Sequence, residues 1–109
     1  MFTGTEDQKI GAEDAADLTK NYRDMLIEME DDDECLGAYF SSSGIQSLLD
    51  QRDCVGIRVY FALNEDGSKN LVVVGVSADE NDQLGDDDAC LGGSLMCPPR
   101  SGRDTILNS

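Results

Sequence analysis

The side chains that could do chemistry here are carboxylates and thiols, because the 109-residue sequence contains no histidine. That absence removes the ordinary neutral-pH proton shuttle, the Ser-His and Cys-His nucleophile pairs, and every imidazole metal ligand. Lys9, Lys20 and Lys69 lie among polar residues rather than in the apolar setting that depresses an amine pKa. The densest run of oxygen ligands is Ser77-Ala78-Asp79-Glu80-Asn81-Asp82, followed shortly by Asp86-Asp87-Asp88. Alternating side-chain oxygens are how calcium loops are built. Asp79, Asn81, Asp82, Asp86 and Asp88 are therefore the candidate ligands for a divalent cation, Ca²⁺ first. The match is partial, since the sixth position lacks glycine and the twelfth is Asp88 where a glutamate is expected. Asp31-Asp32-Asp33 offers a second, looser gathering of carboxylates. A solvated acidic loop is the competing reading for both.

The thiols are Cys35, Cys54, Cys90 and Cys97. Four cysteines allow three pairings, and sequence does not choose among them. They form no pair of CxxC knuckles, so a four-thiolate zinc site has no local signature. Cys54 opens an apolar run and reads as a small buried residue. Cys90 and Cys97 bracket a glycine-containing octapeptide short enough to close as a disulfide, although reduced thiols are the expectation in the cytosol. Cys97-Pro98-Pro99-Arg100 approaches a redox CxxC, but Arg100 stands where the second thiol would be. Arg100 could lower the Cys97 pKa; a proline-stiffened turn is the simpler reading. No catalytic constellation emerges, and a non-enzymatic protein without a cofactor is expected.

Charge narrows the partners further. The chain carries 23 acidic and 8 basic residues, a formal charge of −15. Such a surface is repelled by phosphate backbones and anionic lipid, so nucleic-acid and membrane-surface binding are not expected. The first eight residues are not a basic-then-apolar leader, and no apolar run approaches the ~20 residues of a membrane span. A cytoplasmic location is expected, with export by an unconventional route as the alternative. Aspartate outnumbers lysine 16 to 3, a composition that also suits concentrated salt, where screening removes self-repulsion. A small acidic domain can also occupy a cationic groove as an inhibitor or mimic. The acids are unevenly placed: residues 1–53 carry net −10, residues 54–76 net zero and residues 77–109 net −5. A neutral segment lies between two acidic flanks.

The elements that must position these groups follow from periodicity. Ala15, Leu18, Tyr22, Met25, Leu26 and Met29 recur at helical steps, which predicts a helix over Ala12–Glu28 ending at the acidic run 28–34. Ser41-Ser42-Ser43 is a natural N-cap for a short helix near Ser43–Gln51. Val55, Ile57, Val59, Phe61 and Leu63 alternate with Gly56, Arg58, Tyr60 and Ala62, which predicts a strand with one strongly apolar face. Asp66-Gly67 turns the chain into Leu71–Val76, apolar on both faces, giving a β-hairpin over about Cys54–Val76. Leu91–Met96 could add a third strand, weakened by Gly92 and Gly93. The expected fold class is α+β, one or two N-terminal helices packed on a small antiparallel sheet. It forms a single small acidic domain, 1–109, with 1–11 and 98–109 as extended arms.

Several of these stretches carry a resemblance. Asn21-Tyr22-Arg23 near the helix end, Cys54-Val55-Gly56-Ile57-Arg58-Val59-Tyr60, the Gly67 turn, Leu71-Val72-Val73-Val74-Gly75-Val76 and Cys97-Pro98-Pro99 resemble the pattern of small uncharacterised bacterial proteins, mainly of Bacteroidota type. The resemblance spans about residues 12–99 and implies no particular activity. Those proteins often follow Cys-Pro-Pro with a second cysteine, from which Arg100 departs. From the residues themselves, the expected function is protein–protein interaction or structural assembly, with self-association through the hairpin's outer face. Arg58, Tyr60, Val72, Val74 and Val76 would form that interface, since arginine and aromatic residues suit interface cores. The cation-binding module and the acidic mimic are the alternatives.

Overall fold

A computed structural model describes residues 1–30, 36–97 and 102–108. The acidic run 31–34, Cys35 and the Pro98-Pro99-Arg100 turn lie outside the described residues. In chain order the elements are α1 (Ala12–Glu28), β1 (Gly37–Tyr39), α2 (Ser42–Leu49), β2 (Cys54–Leu63), β3 (Lys69–Ser77), β4 (Cys90–Leu91) and β5 (Leu95–Cys97). This is an α+β chain with two small antiparallel sheets, β2-β3-β4 and β1-β5. It divides into two units, one of residues 1–6 and 39–95, the other of residues 7–38 and 96–109.

The first unit is organised by the hairpin. β2 and β3 pair antiparallel with Arg58 opposite Val74, Val59 opposite Val73 and Tyr60 opposite Val72. Asp66 closes the intervening turn by accepting hydrogen bonds from the backbone and hydroxyl of Ser68, while Gly67 takes the left-handed conformation at φ 87°. Because opposed residues share a face, Val59, Val73 and Gly75 lie on one side and Arg58, Tyr60, Val72, Val74 and Val76 on the other. α2 packs against the three-stranded sheet. Ser41, the first of the three serines expected to cap it, is the N-cap, its hydroxyl accepting from the Gly44 amide at 3.0 Å, and the helix runs Ser42–Leu49 where Ser43–Gln51 was expected. Leu48, fully buried, is the principal residue that α2 contributes to the core alongside Val73.

Gly75 marks a close approach. A Cβ there would fall 2.6 Å from Gln83 Oε1 and 2.8 Å from Gln51 Nε2. These glutamines bond to each other, Gln83 Nε2 donates to the Arg52 carbonyl, and Gln51 Oε1 accepts from the Ala89 amide. The glycine therefore leaves room for a polar clasp that ties the segment after α2 to the segment before β4.

The expected third strand divides in two. Cys90 and Leu91 pair with Val74 and Val73 as β4, the chain leaves the sheet at Gly92-Gly93, and Leu95–Cys97 pairs with β1 as β5. Asn70 holds the departure, donating to the Gly92 carbonyl at 2.8 Å and accepting from the Ser94 hydroxyl. Cys90 and Cys97 thus belong to different sheets, and the disulfide between them is not formed. The octapeptide bridges two sheets instead of closing on itself.

In the second unit α1 has the predicted bounds, with Glu13 and Asp14 in its first turn and Glu30 in the left-handed region (φ 53°) just past its end. Its apolar stripe is less enclosed than its periodicity suggests: only Leu26 is buried, while Leu18, Met25 and Met29 stay exposed. Within this unit Arg23 Nη1 donates to the Leu107 carbonyl at 2.8 Å. No described helix is long and apolar enough to cross a membrane.

The burial difference between two adjacent leucines gives a test of this core. Leu48→Ala should lower unfolding free energy by about 2–5 kcal/mol through lost burial and a residual cavity. Leu49→Ala, at a position 41% exposed, should cost less than about 1 kcal/mol, both read from urea denaturation curves.

Candidate functional site

The two faces of β2 present different chemistry. On the face shared with Val74 and Val76, Arg58 and Tyr60 converge on Asp82, which the chain brings alongside by a bridge to Val76. Arg58 Nη1 donates to Asp82 Oδ1 at 2.6 Å and Nη2 donates to the Glu80 carbonyl at 3.2 Å. The Tyr60 hydroxyl donates to Asp82 Oδ2. Both carboxylate oxygens are thereby occupied. The Tyr60 hydrogen bond holds the Asp82 carboxyl below the usual aspartate range; desolvation opposes it, and the hydrogen bond and charge of Arg58 add smaller lowering contributions. The same carboxylate raises Arg58, keeping its guanidinium cationic.

This arrangement sorts the residues proposed for an interface. Arg58, Tyr60 and Val72 keep partial exposure, but Val74 and Val76 are only 3% and 2% exposed. The last two are core, because the Arg58–Asp82 pair runs from the residue opposite Val74 to the residue opposite Val76 and roofs that part of the sheet. The expected outer face is consequently shorter than five residues.

The expected cation ligands are not brought together. Asp82 is committed to Arg58 and Tyr60, Asp88 accepts from the Gly85 amide at 2.9 Å, and Asp79, Asn81 and Asp86 are exposed. Among the described residues no group of three or more histidine, cysteine or acidic side chains is placed to hold a metal ion. Glu80 takes the left-handed conformation at φ 68°, and the backbone there folds back so that the Ser77 amide donates to the Asn81 carbonyl. The segment is a tight turn that delivers Asp82 to the sheet.

The opposite face of β2 holds what sequence reasoning placed in the core. Phe61 is 94% exposed, Leu63 is 71% exposed, and Ile57 and Val59 are also open. The reason is length. An eight-residue helix spans about 12 Å, whereas a ten-residue strand spans about 33 Å, and α2 lies over the Val73 region. Among the described residues β2 is moreover an edge strand, hydrogen-bonded to β3 on one side only. No local pattern in the sequence signals this, because alternation announces an apolar face without saying what is long enough to cover it. Near α2, Tyr39, Phe40, Gly44, Cys90 and Leu91 line a separate open groove of about 380 Å³ with apolar walls. Comparison with protein-family models, curated proteins and solved structures found no match.

The lowered Asp82 pKa fixes a pH dependence. A carboxyl whose folded value is the lower one contributes stability above the ordinary aspartate value and loses it as pH falls through the folded value. Asp82→Asn should therefore destabilise the chain at about pH 7, and its deficit relative to the parent should shrink at about pH 2.5. Denaturation midpoints of both proteins at the two pH values measure the effect.

Proposed function

We propose that this chain is a non-enzymatic interaction subunit that binds a protein partner along the outer edge of β2. The observation that carries the reading is a ten-residue edge strand, free of carboxylates in a chain of net charge −15, that leaves Ile57, Val59, Phe61 and Leu63 open to solvent. Edge strands of stable monomers are commonly blunted by proline, lysine, bulges or short length. β2 contains neither proline nor lysine, and its single charge, Arg58, is engaged by Asp82. Its one irregularity lies at the Cys54 end, between Cys54 and Gly56, leaving the remainder regular. Strand addition fits such an edge: backbone groups supply the hydrogen bonds and alternate side chains supply selectivity.

Arg58 and Tyr60 contribute rigidity. Pinned by Asp82, they lean across β3 and away from the free edge, which leaves the exposed side of the strand to Ile57, Val59, Phe61 and Leu63. The acidic flanks serve solubility and would steer any contact toward the neutral strand by repelling other approaches between like-charged molecules.

A photo-crosslinking amino acid at position 61 tests this in the native host. The expected result is an adduct of discrete mass that is absent when the same group replaces Asp14 on α1. Equal and diffuse labelling from both positions would refute β2 as the binding edge.

A further inference from the structure

We infer that the strand laid along β2 is the β2 of a second copy of this chain, paired antiparallel about a two-fold axis through Val59. The inference rests on β2 being the interaction edge and goes further by naming the occupant. Two identical edges that pair antiparallel are related by an axis normal to the sheet, so each residue meets a residue from its own face. With the axis at Val59, that residue faces itself, Ile57 faces the partner's Phe61, and Arg58 faces the partner's Tyr60. Exposed apolar side chains meet exposed apolar side chains on one face. On the other face Arg58 and Tyr60 stay turned to Asp82, so no charged head is brought into the seam.

The neighbouring registers are worse. An axis at Arg58 brings Asp53 against Leu63 and takes the bulge between Cys54 and Gly56 into the seam. An axis at Phe61 brings Glu65 against Ile57. An axis at Tyr60 brings Asn64 of the turn against Gly56 and so draws the turn into the seam. Only the Val59 register uses the regular ladder from Gly56 to Ala62 while keeping both the bulge and the turn outside the seam.

Charge selects the partner's chemistry. A basic partner would be drawn to the flanks, which carry net −10 and net −5, and would gain nothing from β2, where the only charge is cationic. An identical strand brings no carboxylate into the seam. The −15 on each copy still opposes approach at a distance, and salt screens that repulsion without weakening the apolar seam. The product is one continuous six-stranded sheet in which β2 is no longer an edge.

Sedimentation equilibrium on the purified chain decides the matter. The expected mass is twice 11.8 kDa, with the dimer fraction rising as salt is added. Val59→Lys and Val59→Glu should each sediment as folded monomers at concentrations where the parent is dimeric, and an equimolar mixture of the two should recover the dimer. Recovery requires that position 59 meet itself. Should either Val59 variant lose its far-UV circular dichroism, Phe61→Lys, at a position almost wholly exposed, should abolish the dimer with the fold intact. A parent chain that stays at 11.8 kDa up to about 100 μM in about 0.5 M salt overturns self-pairing. In that case a crosslinked adduct of another mass at position 61 would leave β2 as an edge for a different protein. A parent dimer that survives all three substitutions, or a mixture that stays monomeric, overturns the Val59 axis.

Discussion

Enclosure of β3 from both sides is the constraint on which the rest of the first unit depends. Val73 through Val76 are consecutive buried residues, so the strand needs cover on each face of the sheet. On one face the cover is aliphatic, supplied by α2 through Leu48, with Gly75 leaving space for the Gln51–Gln83 clasp. On the other face it is a polar lattice, because Arg58 and Tyr60 reach over the valines to Asp82. A guanidinium and a phenol can serve as a roof since both have extended apolar or planar surfaces beneath their polar ends. The acid that locks them arrives from a turn whose Glu80 backbone is left-handed, so the loop after β3 is shaped by the same requirement.

Much of this was legible because local chemistry and tertiary structure agree. The bounds of α1, the Ser41 cap and the hairpin with its Asp-Gly turn follow from periodicity and from groups that satisfy their own neighbours. What was not legible depended on how far each element reaches. The alternation of Ile57, Val59, Phe61 and Leu63 announces an apolar face, but no local pattern says whether anything is long enough to lie on it. The same holds for the α1 stripe, of which Leu26 alone is buried. Leu91–Met96 looked like one strand because its two halves both favour extended backbone; Asn70, twenty residues earlier, holds the break between them. The Cys90–Cys97 disulfide failed for the same reason.

The carboxylates show the complementary limit. Sixteen aspartates look alike in sequence, and the run from Asp79 to Asp88 invites a cation. What distinguishes Asp82 is its bridge to Val76, which sets it beside Arg58 and Tyr60, 24 and 22 positions earlier in the chain. A ligand pattern read along the chain assumes that neighbouring acids converge on one point. Here a sharp turn separates them, sending Asp82 to the sheet and leaving Asp79 and Asp86 in solvent.

Scarcity of cover and distribution of charge then bear on one another. Within the first unit the described helical cover of the three-stranded sheet is the short helix α2, and part of the hairpin's apolar surface stays open. Spreading acids evenly would have blunted that strand at small cost to stability, since exposed positions such as Phe61 tolerate charge. The chain instead places all of its acids except Glu65 and Asp66 in the flanks and leaves residues 54–63 without a carboxylate. Neutrality at this place withholds the usual protection of an edge, and the side chain facing outward at 61 is a phenylalanine. An edge kept apolar while the rest of the surface is heavily acidic is what the proposed strand addition requires of β2. That requirement joins the missing core layer to the charge pattern in a single physical account.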